Sequence, residues 1–541
     1  MNPLRDEVMV AICDNTDLDK EQVKELLEVP PDVDMGDFAL PCFQLGDNPI
    51  KVAEHIKEKI DSDIFKSVEV KGPYLNMHVN SQIIFDSITQ QVTKKPGDIV
   101  VEFVSPNVNK PLHIGHARNM MIGRSISNLL RKQGSTVTKE VLYNDRGVHI
   151  CKSMLAYQKV GGDEPSETGE KPDHFVGRYY QRFAELSKDN PGLEDEAQSM
   201  LQAWESGEKE TLELWKKLHN WCIKGMRETF ERFNISHDVE RFESEIYTEG
   251  KDIIQSHVGT VFYRDEDGAV VADLGDKLGI KHVLRADGTT IYMTQDIALA
   301  MKRFDENHDE IIYVVGKEQS YHFQCLFAIL ERLGISADSL HHLGYGHVTL
   351  KSGKMSSRVG TVVLVDDLTD SLVETARAEL EKRGRFTPEK AETIGQAALI
   401  FYLLKHDTWQ DMTFDPSESV SFQGETGPYL LYTYARIESV LEGADSTEMN
   451  APLDTREERQ LLRKLTRFSD IVEEAASQRS PSKLAVLMID IAQAFNEFYH
   501  AHRIRTDVEE VQKSRLALTK RTQDILRDGF DLLGIPYLEE M

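Results

Sequence analysis

At 541 residues, with a formal net charge of −28, 40% hydrophobic and 28% charged residues, the chain is too long for one hydrophobic core and too balanced to be disordered. No run of about 18 apolar residues suggests a bilayer span. The five cysteines (Cys13, Cys42, Cys151, Cys222 and Cys325) are scattered without a C-x-x-C pair, which argues against a disulfide framework and a thiolate zinc site.

The first 17 residues lack a cationic region followed by an apolar stretch, so a cytoplasmic location is expected. Acid is unevenly spread. Residues 160–280 carry 14 Lys and Arg against 27 Asp and Glu, whereas residues 452–541 carry 14 against 16. An acidic chain can therefore still offer a locally neutral or basic face to a polyanion.

Residues 1–95 read as an α+β unit, with helices over 4–12, 20–27 and 49–60 and strands over 64–71 and 74–79. KKPGD, residues 94–98, reads as a linker. An apolar strand over 99–104 follows, then a helix from about His116 to Lys132, with Gly134 as its stop, and a strand over 136–142. This is the βαβ start of a nucleotide-binding fold. Residues 155–283 read as an acidic, Trp-containing helical insertion. The alternation resumes with a strand over 310–316, a helix over 321–333 and a strand over 347–351. From Thr387 onward the pattern is helical: 391–404, 429–441, 457–476, 482–501 and 513–533. No internal repeat or low-complexity tract interrupts it.

The most informative block is V-E-F-V-S-P-N-V-N-K-P-L-H-I-G-H-A-R, residues 101–118, in which His113 and His116 flank Gly115. It joins a strand to a helix, the geometry that leaves a helix N-terminus open to phosphate. Two imidazoles there can hydrogen-bond phosphate oxygens, and Gly115 lets a flat base approach the backbone. The arrangement suits chemistry on a nucleoside triphosphate without a Gly-x4-Gly-Lys loop.

The tetrad resembles the HIGH motif of class I aminoacyl-tRNA synthetases, the S-P-N-x-x-K-P-x-H-x-G-H-x-R block resembles that of arginyl-tRNA synthetases, and the interrupted βαβ pattern with its N-terminal unit and helical end resembles that family over essentially the whole chain. The resemblance implies a Rossmann-like class I core over 96–385, with its helical insertion, carrying ATP-dependent ligation of L-arginine to tRNA(Arg) through arginyl-adenylate. It also implies an N-terminal domain over 1–95 that binds the tRNA elbow and an all-α anticodon-binding domain over 386–541. ATP, Mg2+, arginine and tRNA(Arg) are the implied ligands, and a monomer with no resident metal site is the implied form.

Carried over residue by residue, the resemblance makes His113 and His116 the phosphate-binding pair and Gly115 the adenine platform. G-K-M-S-S-R-V-G-T, residues 353–361, resembles the mobile KMSKS loop, with Lys354, Met355 and Ser356 at the ATP. Ser357 stands where a second lysine is usual; Lys110 is the first candidate to replace it and Arg358 the alternative. Arginine needs carboxylates that accept a planar guanidinium. Asp296 lies one helical turn after Tyr292 and, with Glu102, Ser105, Asn107 and Gln319, forms the implied arginine-binding set. Tyr429, Tyr432 and Arg436 share one helical face and, with Tyr499 and Met541, match the implied anticodon-reading positions. Asn76, in GPYLNMHVN, matches the implied elbow contact. Asn144-Asp145-Arg146-Gly147 lies at a strand end where such folds bind ligands, and its role stays open.

Other class I enzymes, glutamyl, cysteinyl or valyl, would share the tetrad but not the N-terminal unit or the spacing of Asn107 and Lys110. A catalytically silent RNA-binding paralogue would not need His113, His116 and Lys354. A nucleotidyltransferase acting on a small molecule would leave the long helical C-terminus without a use.

Overall fold

The computed structural model describes residues 3–88, 97–247, 249–351, 363–444 and 448–540, and it divides into two compact units. One contains Lys95–Thr375 and His406–Pro416; the other contains Met1–Lys94, Ala376–Lys405 and Ser417–Met541.

In the N-terminal part, β1 (Phe38–Pro41), β2 (Phe65–Lys71) and β3 (Tyr74–Val79) form an antiparallel sheet with β3 central. β1 lies in a stretch the periodicity left unassigned. Asn76 sits on the central strand, paired to Ala39 on one side and Glu69 on the other, and is only 5% exposed. The position expected to meet the tRNA elbow is thus largely enclosed within this unit.

In the other unit, β4 (Asp98–Glu102), β5 (Thr136–Tyr143), β6 (Val239–Phe242), a small antiparallel sheet of β7 (Tyr263–Arg264), β8 (Val270–Asp273) and β9 (Ile280–Leu284), then β10 (Glu310–Gly316) and β11 (Leu340–Tyr345) follow in chain order. The main sheet is parallel, ordered β11-β10-β4-β5-β6. The near-continuous burial of β4 and β10 explains their unbroken apolar runs, because a parallel sheet is covered on both faces. Helices Tyr292–Asp305 and Ser320–Arg332 supply Ile297, Ala300, Leu326 and Ile329 to a core shared with Val100, Ile311 and Tyr313.

Two expectations about elements need correction. The stretch 155–283 is not one helical insertion. Helices Pro172–Asp189 and Lys209–Arg232 belong to it, but the chain then returns to the main sheet as β6 and adds the β7–β9 meander. The single helix expected over 457–476 is two, Arg456–Leu465 and Phe468–Ser477. The Thr466 hydroxyl donates to the Arg463 carbonyl at 3.0 Å, a local bond that competes with continuing the helix.

The N-terminal strands and helix Arg456–Leu465 are joined within their unit by a buried arginine. Arg459, 6% exposed, donates to the Asp37 carboxylate, to the Val79 carbonyl at 3.0 Å and to Asp454 at 3.1 Å. Asp37 also accepts from the Val79 amide at 2.8 Å. Removing one partner of a buried pair leaves the other charge uncompensated. Arg459→Met is accordingly expected to lower unfolding free energy by about 3–5 kcal/mol, read as a fall in the urea midpoint of the full chain.

Candidate active site and RNA-facing surface

The tetrad caps its own helix. His113 is the N-cap of Ile114–Lys132; its Nδ1 accepts from the Gly115 amide at 3.1 Å and closes a capping box with the backbone of His116. His116 Nδ1 in turn accepts from the His113 amide at 3.1 Å, and the two rings lie 3.9 Å apart between centroids. The Ile114 amide is taken by the Val363 carbonyl at 3.0 Å. The first-turn amides are thus already partnered, which overturns the expectation that the bare helix end would receive a phosphate.

What the site offers instead follows from the rings. Burial and, next, Lys110 hold His113 below its ordinary pKa; burial, then His113 and Lys110, hold His116 well below it. With each Nδ1 accepting, the neutral rings carry their protons on Nε2. Two N–H donors result, with no charge to desolvate. A Cβ at Gly115 would come within 2.9 Å of the His113 ring, so glycine there preserves the ring's seat. The Lys110 ammonium lies 4.7 Å over the Tyr180 ring.

The turn from β4 into the tetrad bends sharply. Val104 and Ser105 have φ of +78° and +40°, a conformation that costs a non-glycine residue about 1–3 kcal/mol. Asn119 holds it: its Oδ1 accepts from the Val104 amide at 2.6 Å and its Nδ2 donates to the Val314 carbonyl on β10 at 2.7 Å.

The expected arginine-binding residues fall at strand ends and helix starts of this unit. Glu102 is 6% exposed and already partnered: it accepts from Arg303 at 2.5 Å and from Ser105 Oγ at 2.9 Å. Arg303 also binds Glu140, the partner of Glu102 across the β4–β5 register. Asn107 forms a backbone bridge with Asn144. Tyr292 is 62% exposed, and Asp296, one turn on, meets His322 Nε2 at 2.6 Å. Gln319 is exposed in the short turn before the helix that carries His322.

Sequence reasoning missed Glu243. It opens a short helix after β6, is 3% exposed, and accepts from Gln295 at 3.0 Å through one oxygen. Its other oxygen is buried without a partner. Burial pushes its carboxyl up to about 7, and Asp145 and Asp296 push the same way against the hydrogen bond from Gln295 and the charge of Arg146. Only the return of β6 to the sheet, which periodicity did not reveal, could have signalled it. The Asn144–Gly147 turn left open above supports this corner. Asp145 accepts from the Ser244 amide at 2.9 Å and its hydroxyl at 2.8 Å, while Arg146 stacks 4.3 Å from the Tyr247 ring. The corner therefore holds buried, under-compensated carboxylate, the environment a cation would relieve.

Three family models cover the chain. Residues 78–415 match the class I (R) tRNA synthetase catalytic domain, 430–541 the DALR anticodon binding domain, and 3–79 the arginyl-tRNA synthetase N-terminal domain. The chain belongs to the arginyl-tRNA synthetases. It is 42% identical to an arginine–tRNA ligase of Treponema denticola over 95% of this chain and 94% of that one. A second such ligase, from Parabacteroides distasonis, is 40% identical over 87% of each. The fold is similar to the solved arginyl-tRNA synthetase of Thermus thermophilus, with a TM-score of 0.83, 26% identity and coverage of 99% and 100%.

Two parts of the synthetase reading, Lys354, Met355, Ser356 and Arg358 of the lysine loop and the terminal Met541, lie outside the described residues. On helix Gly427–Leu441, Arg436 is sandwiched between the Tyr432 and Tyr499 rings at 4.9 and 5.0 Å. It also donates to Asn496, whose amide donates to the Tyr429 hydroxyl at 2.9 Å. Tyr432 and Tyr499 are each 37% exposed, so each keeps an open surface. A groove of about 690 Å³ runs alongside, lined by Tyr429, Asn496, Gln460, Gln493 and His500.

Back in the catalytic unit, His149, in the first turn of helix Val148–Val160, reports on burial near Lys110. Burial, then Lys110 and Lys152, lower its pKa to about 4. The unfolded chain takes up a proton near pH 6.5 that the folded chain refuses until about 4, so stability is complete above pH 6.5 and falls as pH drops through that window. The loss from this group is at most about 3 kcal/mol. Urea midpoints across that range should fall less steeply for His149→Gln than for the unaltered chain.

Proposed function

We propose that the chain ligates L-arginine to tRNA(Arg) with ATP, through arginyl-adenylate and with release of pyrophosphate and AMP. The observation that carries this reading is the under-compensated carboxylate of Glu243, near Asp296, in the same unit as a pair of neutral imidazole donors.

Adenylation is an in-line displacement at the α-phosphate, so the protein contributes position and electrostatics rather than covalent chemistry. The Nε2–H groups of His113 and His116 donate to phosphate oxygens as charge builds on them. Gly115 receives the adenine, and Lys110, with Lys354, Met355 and Ser356, meets the phosphates. Mg2+ arrives with ATP as part of the substrate. Asp296 and Glu243 receive the guanidinium, with Tyr292 beside it. Glu102, Ser105, Asn107 and Gln319 address the backbone end of the amino acid, Glu102 acting from its fixed pairing with Arg303.

Tyr429, Tyr432, Arg436 and Tyr499 form the anticodon surface, with Met541 completing it. Aromatics pre-stacked on an arginine offer a rigid platform to a splayed base. The working form is a cytoplasmic monomer; no helix among the described residues is long and apolar enough to cross a membrane.

Asp296→Asn removes charge facing the guanidinium and is expected to raise the arginine KM by about 10²-fold, with the ATP KM little changed. An unchanged arginine KM would take Asp296 out of the pocket. Because Glu243 must ionise to receive a cation, the arginine KM should also rise as pH falls below about 7. That dependence should disappear in Glu243→Gln, measured by arginine-dependent ATP–pyrophosphate exchange between pH 5.5 and 8.

A further inference from the structure

A charged cluster lies where helix Pro172–Asp189 of the helical insertion meets the first turn of helix Val365–Lys382. Lys171, the N-cap residue of helix Pro172–Asp189, places its ammonium 2.9 Å from Asp366, 3.1 Å from Asp173 and 2.6 Å from the Thr229 hydroxyl. Thr229 donates to the same Asp366 oxygen at 3.0 Å, and His174 and Arg232 lie 3.4 and 3.8 Å from the Asp366 carboxylate. Asp173 is fully buried and Asp366 8% exposed. The ligand atoms of Asp173, His174 and Asp366 lie within 4.8 Å of one another, which would suit a metal ion. The Lys171 ammonium, with three acceptors around it, already supplies the cation.

The position of Asp366 in the chain gives the cluster its consequence. Asp366 follows Val365, whose amide donates to the Leu112 carbonyl at 3.0 Å; the Ile114 amide donates to Val363 at the same distance. These two rungs flank His113, which bridges to Leu364 between them. The His113 amide is the donor that fixes the His116 ring. The same insertion braces the turn from its other side. Lys110 lies over Tyr180, and a Cβ on Gly177 would come 2.4 Å from the Pro111 ring.

We infer that Lys171, Thr229 and Asp366 are positioning residues for adenylation: an internal ammonium–carboxylate lock through which the insertion sets the backbone rungs around His113, and so the direction in which both Nε2–H groups point. This rests on the assignment of the histidine pair to phosphate proposed above. The residues assigned to the guanidinium, Glu243, Tyr292 and Asp296, sit on other elements, so the lock acts on the chemical step rather than on arginine affinity.

The test is ATP–pyrophosphate exchange by the full chain with arginine and tRNA present, comparing Asp366→Asn, Asp366→Glu, Thr229→Val and His113→Ala. Asp366→Asn is expected to lower kcat about tenfold or more with the arginine KM within about twofold. Thr229→Val, which keeps the ion pair, should lower kcat about two- to fivefold with the same split, and Asp366→Glu should recover part of the loss. If Asp366→Asn does not fold, Thr229→Val carries the test alone. Wild-type kcat in Asp366→Asn and Thr229→Val, alongside loss of exchange in His113→Ala, would overturn the lock. So would a rise in arginine KM matching the fall in kcat. Full exchange by His113→Ala would instead remove the histidine assignment on which the lock depends.

Discussion

The site hangs from the exit of β4. Within about a dozen residues the chain leaves the sheet at Glu102, turns through two positive-φ residues at Val104 and Ser105, and enters a helix at His113. A β-branched residue does not hold φ of +78° unless its surroundings over-determine it. Asn119 does so by tying the Val104 amide to the β10 carbonyl of Val314, and Arg303 does so from below by fixing Glu102 against Glu140. With that bend in place, one short segment carries both the residues proposed for the amino acid, Glu102, Ser105 and Asn107, and those proposed for the nucleotide, Lys110, His113 and His116. Strain at the bend is thus converted into the short spacing between the groups assigned to the two substrates.

The electrostatics of the two halves are opposite. On the phosphate side the histidines are kept neutral by burial and by Lys110, so they donate hydrogen bonds without a competing internal anion. On the side proposed for arginine, Glu243 keeps one buried oxygen unbonded and has a raised pKa, a state that a bound guanidinium would relieve. Arg303, by contrast, neutralises Glu102 and Glu140 in the core beneath the site. Glu102 and Glu140 are thus locked by a protein guanidinium, whereas Glu243 is the carboxylate proposed to meet the substrate's.

The contiguous parts of this architecture were legible in the residues. The tetrad, its preceding strand and its following helix read correctly because their spacing is local, and the C-terminal helices, apart from the break between Leu465 and Phe468, read correctly because amphipathic periodicity survives burial. What failed was long-range. The return of β6 to the parallel sheet, and with it Glu243, cannot be seen from a four-residue strand inside an acidic helical region. His322 and Arg303 meet Asp296 and Glu102 only through tertiary packing. The helix end at His113 looked open because a sequence does not show that its own imidazole occupies the amide beside it.

The most direct test compares arginine with citrulline, its neutral ureido analogue of nearly the same shape, as substrate for tRNA charging at pH 7.5. A pocket built on Asp296 and Glu243 predicts that arginine is charged and that citrulline loses about 10³-fold or more in kcat/KM, because the buried carboxylates would meet no cation. Comparable charging of the two would mean that shape, not charge, selects the amino acid, and would contradict the account of the pocket.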